Sequence, residues 1–242
     1  MKNKKSEQIA AKKKHKESLK ARRRTEPLLQ RNEPSKIERP TILIVCEGEN
    51  TEPSYFRQFK LSSATIVPVG EGYNTVSLVK RAKILSVKID NKKKNKIYNQ
   101  VWCVFDADPK PDNPKQSQNF NDAIKLAAKN GFGIAYSNQA YEYWIILHLD
   151  DHQGGGMNRS DYNNKINSLI KPFGLTYKDS KIITEEFFDL LDGIDEKTKK
   201  ERKILAIERA KRNYDQFDHT NPANEESSTT VFRLVEELLK YV

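Results

Sequence analysis

Two short, unbroken apolar runs constrain this chain more than any other feature. Thr41 to Cys46 reads Thr-Ile-Leu-Ile-Val-Cys and Val101 to Phe105 reads Val-Trp-Cys-Val-Phe, and each stops at an acidic cluster, Glu47-Gly48-Glu49 after the first and Asp106-Ala107-Asp108 after the second. Runs of this length, rich in β-branched residues, suit strands buried on both faces. A sheet covered on both faces needs helices on either side, and the intervening sequence supplies them. Thr51 is placed to cap a helix beginning at Pro53 that carries Tyr55, Phe56 and Phe59 inward. Ala64 to Val69 reads as a second strand. The spacing of Val76, Val79, Ala82 and Leu85 then predicts a helix from about Asn74, closed by Lys92-Lys93-Lys94. Phe120 to Asn130 reads as a helix stopped by Gly131, and Gly133 to Tyr136 as a further strand. Strand and helix alternate, so the expected class is α/β with a parallel sheet, and ligands belong at the carboxyl ends of its strands.

Both flanks of this core differ from it. Residues 1–39 lack a core pattern and contain Lys12-Lys13-Lys14 and Arg22-Arg23-Arg24, opposed up to Arg24 only by Glu7 and Glu17. That segment reads as a basic N-terminal arm suited to phosphates. The core domain is expected over 40–152, its end marked by the aromatic and apolar stretch Tyr141 to Leu149 and then Gly154-Gly155-Gly156. From 153 to 242 the pattern gives a helical C-terminal extension, with helices near Asp161–Ile170, Thr184–Leu191, Glu196–Tyr214 and Thr230–Tyr241 and no clear strands.

Lys and Arg outnumber Asp and Glu by 43 to 33, a net charge of +10 over 242 residues, which favours a polyanionic partner such as RNA or DNA. Cys46 and Cys103 both lie inside apolar runs and read as buried thiols rather than a disulfide or zinc framework. No apolar run approaches the length of a membrane span, and the basic N-terminus is not followed by a signal-peptide core. The expected location is the cytoplasm, with no membrane partner.

The chemistry sits at the strand ends. In an extended segment residues two apart point the same way, so Asp106 and Asp108 can direct both carboxylates at one ion beside Glu47. Mg²⁺, or Mn²⁺ in its place, takes hard oxygen ligands and keeps several waters, so two or three carboxylates with a substrate phosphate suffice. Asp-x-Asp alone is equally a solvated turn; its pairing with a strand-end Glu-Gly makes it a candidate site.

The stretch Ile42 to Phe56, with Val104-Phe-Asp-Ala-Asp108, resembles the RloB-like (AbiLii) family of Toprim-fold proteins, and the resemblance continues through Ser137 to His148 and, more loosely, Asn221-Pro222 and Thr230-Val231. It implies a Toprim-like sheet and a metal-dependent nuclease used in abortive infection against phage, working with an ABC-type or AAA-type ATPase. RNA, with tRNA as the specific expectation, is preferred to DNA on that resemblance. By position, Glu47 becomes the general acid or base, Asp106 and Asp108 metal ligands and catalytic residues, and Glu142 a further metal ligand. Gln139 and Tyr141 stand where the family pattern has Pro and Phe, and an acidic, polar insertion separates Asn221-Pro222 from Thr229-Thr230.

Lys110, Glu49, His148 and Tyr141 complete the candidate set as substrate contacts. Tyr141, Tyr143 and Trp144 could stack a splayed base, although apolar spacing favours a core role for Trp144. Glu52 reads as a helix-dipole residue. His148 and His152, four apart, lack the other ligands of a zinc site, and His148 either packs behind the acidic cluster or touches substrate. The rival from another class is a non-catalytic nucleic-acid-binding subunit docked on the ATPase. A dehalogenase-type phosphatase would place Thr or Val at the position of Lys110.

Overall fold

The structure, a computed structural model, describes residues 10–18, 20, 40–68, 75–90, 93–109, 113, 115–177 and 181–242. Of the basic arm, residues 10–18 and 20 are helical and exposed, and the remainder of that segment lies outside the described residues. Residues 39–242 form one compact unit.

Its centre is a four-stranded parallel sheet in the order β2-β1-β5-β6, made of β1 (Ile42–Cys46), β2 (Ala64–Pro68), β5 (Gln100–Asp106) and β6 (Gly133–Ser137). The α/β class and the parallel sheet are as expected from the two apolar runs. Alternation along β1 explains its lack of polar residues. Ile42, Ile44 and Cys46 enter one apolar cluster and Leu43 and Val45 the other, so every side chain has a core to join. On the Leu43 face lie α2 (Thr75–Leu85), through Leu78, Val79 and Ala82, and α3 (Lys115–Lys129), through Phe120, Ala123 and Ala127. On the Ile42 face lie α1 (Thr51–Arg57), through Tyr55 and Phe56, and α4 (Glu142–Leu149), whose residues 142–148 are all buried.

The C-terminal helices α5 (Arg159–Ile170), α6 (Glu185–Asp192), α7 (Arg202–Tyr214) and α8 (Val231–Leu239) join this second cluster through Tyr162, Phe187, Ala206 and Leu234. Thr184 caps α6 by accepting from the Phe187 amide at 3.2 Å. Just before α8, Thr230 N–H donates to the Tyr136 carbonyl at 2.8 Å and Asn138 N–H to the Ser228 carbonyl at 2.8 Å, which ties this segment to the end of β6.

Three local expectations are corrected. The lysine cluster does not close α2: Val87–Asp90 (β3) pairs antiparallel with Lys93–Lys96 (β4). The helix expected from Glu196 begins at Arg202, because Thr198 donates twice to Asp195 Oδ2, by N–H and by hydroxyl at 2.8 Å each, and holds a turn. Thr51 is the first residue of α1 and not its cap; its hydroxyl meets Tyr177 at 3.3 Å. Among the described residues, no helix is long and apolar enough to cross a membrane.

Candidate active site

Parallel pairing brings the acidic ends of β1 and β5 side by side. Cys46 is in register with Val104, and the Glu47 amide continues the ladder by donating to the Val104 carbonyl at 2.9 Å. The Asp106 amide in turn donates to Glu47 Oε2 at 3.2 Å. Asp106, the last residue of β5, is in register with Ser137 of β6, so it lies between Glu47 and the start of the loop to α4.

Glu52 joins this group from the first turn of α1, and its side chain is enclosed, at 5% exposure. Its carboxylate folds back over the β1–α1 turn and accepts from the Gly48 amide at 3.3 Å. A Cβ at position 48 would lie 2.2 Å from Glu52 Oε2, so any side chain there requires the Glu52 carboxylate to move. Glu142, the first residue of α4, also reaches the site. It is paired with Lys181 at 2.7 Å and accepts from the Tyr177 hydroxyl at 3.3 Å.

The carboxylates at the strand ends sense one another. Burial raises Glu47 from 4.5 to about 7, with Glu52 and Asp108 adding repulsion against the hydrogen bond from Asp106. Burial pushes Asp106 well above the usual carboxylate range, and Glu52, Glu142 and Glu47 push the same way. Glu52 is raised by burial and then by Glu142. Arg159 is the cation that lowers both Glu47 and Asp106. Desolvated, like-charged carboxylates are costly unless a cation is present.

Asp108 departs from the extended-chain expectation. The strand ends at Asp106, and Asp108 has a φ of 38°, so the two-residue parity does not carry its carboxylate to the same point as that of Asp106. Its Oδ1 pairs with Arg159 at the start of α5. Among the described residues no group of three or more His, Cys, Asp and Glu side chains is gathered closely enough to hold an ion as they stand. Mg²⁺ needs fewer protein ligands than that, since it commonly binds through one or two carboxylates with substrate phosphate and waters. Among the described residues, Asp106 Oδ1 is buried without a hydrogen-bond partner, as is the Tyr141 hydroxyl, whose charged surroundings include Glu52 and Asp106. A buried carboxylate oxygen lacking a donor, among other desolvated carboxylates, suits a hard cation held by Asp106 and Glu47.

The expected substrate contacts fare differently. Glu49 is exposed in the β1–α1 turn. Lys110 lies outside the described residues. Of its two readings His148 takes the packing one: it is 1% exposed, its Nδ1 lies 2.9 Å from the Trp144 carbonyl and its Nε2 3.2 Å from the Tyr55 hydroxyl. A carbonyl only accepts, so Nδ1 carries the proton and Tyr55 donates to Nε2. Tyr141 is 1% exposed and packs edge-on against Tyr55 and Phe56. Tyr143 and Trp144 are equally enclosed, so none of the three stacks a base in this arrangement. Local pattern misses Glu52, Arg159, Lys181 and Tyr177. Only Glu52 leaves a signal, as an acid five residues after Glu47 across a glycine turn.

A family model described as RloB-like protein matches residues 42–238, a span that contains all these side chains. No curated protein and no solved structure matches the chain.

Proposed function

The chain belongs to the RloB-like family, and from that premise we propose that it is a Mg²⁺-dependent phosphodiesterase acting on nucleic acid, the toxic effector of an antiphage system. The observation that carries this reading is the unpartnered Asp106 Oδ1 beside Glu47 at the carboxyl ends of adjacent parallel strands. A folding scaffold gains nothing from holding a buried Glu52 and the partly buried Glu47 and Asp106 within reach of one another's charge. A phosphodiesterase does: its carboxylates must be fixed before a cation and a phosphate arrive.

In this reading Asp106 and Glu47 would hold the ion, and Asp108, which pairs with Arg159 here, would be a further ligand. The ion, when bound, supplies charge neutralisation at the phosphate and an activated water. Glu47 accepts the Asp106 amide and so sits fixed against β5, where it can take a proton from an attacking water or return one to the leaving oxygen. Glu52, pinned to the Gly48 amide, holds the turn beneath the site. Net charge of +10 and the basic arm support a polyanionic substrate. RNA, tRNA in particular, is preferred to DNA, and an ABC-type or AAA-type ATPase is the expected partner, both on family likeness.

The test is induction of the chain with its neighbouring ATPase in cells, comparing wild type with Glu47→Gln while sequencing RNA ends and checking DNA integrity. Growth arrest with discrete new RNA ends that disappears in Glu47→Gln is the expected result. New DNA ends would move the substrate to DNA. Identical growth arrest in both, with RNA and DNA intact, would leave a non-catalytic binding subunit instead.

A further inference from the structure

Two cations from the segment after residue 152 reach the strand-end carboxylates. Lys181 is bound to Glu142, which is itself enclosed. Arg159 is different in kind. Its Nη1 serves both Asp108 Oδ1 and, at 3.3 Å, the Gln139 carbonyl, and about 40% of its side chain remains exposed. Ion pairs this open contribute little to stability, so holding the fold together does not explain its placement. Both residues that receive it have left-handed backbones, Asp108 at φ 38° and Gln139 at φ 74°, conformations that non-glycine residues seldom adopt. The β5 and β6 exit loops are thus shaped to present a carboxylate and a carbonyl to one guanidinium. That guanidinium lies within electrostatic reach of Glu47 and Asp106 as well.

We propose that Arg159 is the phosphate-binding residue of this site, parked on Asp108 in the substrate-free protein and transferred to a phosphate of the nucleic-acid strand on binding. The assignment rests on the phosphodiesterase reading above. Arg159 suits the task because a guanidinium offers several donors in one plane and stays charged at any working pH. Asp108 mimics the anion in the resting state. The segment after residue 152 then completes the site.

The experiment is fluorescence anisotropy of the full chain on a short labelled single-stranded RNA in EDTA, at several salt concentrations, so that binding is read without cleavage. Arg159→Ala should weaken binding about tenfold or more and make the salt dependence shallower by about 0.7 in log–log slope, the value for one lost phosphate contact on a single strand. Arg159→Lys should restore the slope but only part of the affinity. Asp108→Asn should tighten binding beyond Asp150→Asn, a control that removes a similarly exposed carboxylate from the Lys165 ion pair. Circular dichroism melts report whether each variant is folded. Wild-type binding with affinity and slope unchanged in folded Arg159→Ala overturns the Arg159 assignment alone, as does equal behaviour of Asp108→Asn and Asp150→Asn. Failure of the wild-type chain to bind RNA at any salt overturns the RNA reading together with it.

Discussion

The two ends of α4 place ionisable residues in nearly equal burial and opposite circumstances. At the start, Glu142 faces Glu52 and Asp106 across the strand ends and depends on Lys181 for countercharge. In the last turn, His148 is kept neutral by burial, which lowers it from 6.5 to about 4, and both ring nitrogens have neutral partners. Burial of a polar group is therefore no mark of function. What separates the two ends is company: His148 has a hydrogen-bond partner at each ring nitrogen, whereas near Glu142 repelling carboxylates surround an oxygen of Asp106 that has no donor among the described residues.

The largest test of that contrast is the Glu47→Gln and Asp106→Asn pair. Each should reduce phosphodiesterase turnover by on the order of a hundredfold or more, measured on end-labelled RNA, while leaving thermal stability the same or higher. A large loss of stability in both would make the site structural.

Next is the pH dependence of stability in urea without added metal. The folded His148 resists protonation and the unfolded one does not, so stability present above pH 6.5 should fall as pH drops towards 4, by roughly 3 kcal/mol from this residue. His148→Gln should flatten that limb. The carboxylates act in the opposite sense. Glu47 is raised to about 7, so the folded state holds a proton the unfolded state releases above 4.5, and stability should decline as pH rises from 4.5 through 7. Glu52→Gln keeps an acceptor for the Gly48 amide and removes one of the repelling charges, and it should raise stability at pH 8 by about 1–2 kcal/mol. The smallest effect expected is Tyr55→Phe, which deletes the donor to His148 Nε2 and should cost about 1 kcal/mol by chemical denaturation.

Much of the sheet was legible because its signals are local. β1 and β5 are continuous apolar runs with residues feeding two cores, and the Glu47 and Asp106 endings follow from where such runs must stop. The β3–β4 hairpin was not legible, since Lys-Lys-Asn-Lys carries no apolar alternation. Asp108 was misjudged because parity holds only while the chain stays extended, and its backbone is left-handed. Arg159 and Lys181 reach their carboxylates across 51 and 39 residues, a pairing that no spacing rule encodes. For His148 sequence leaves packing and substrate contact both open, and only its neighbours Tyr55 and Trp144 decide for packing.

Gly48 carries a genetic consequence. Glu52 has no solvent to retreat into, and any missense codon at 48 puts a carbon 2.2 Å from its carboxylate. On the proposed toxic-effector reading, a cell that survives by disarming this chain has a target one codon wider than the acidic residue itself. Among spontaneous survivors of induced expression, changes at codon 48 should appear alongside those at 47, including the change to alanine that most glycines tolerate.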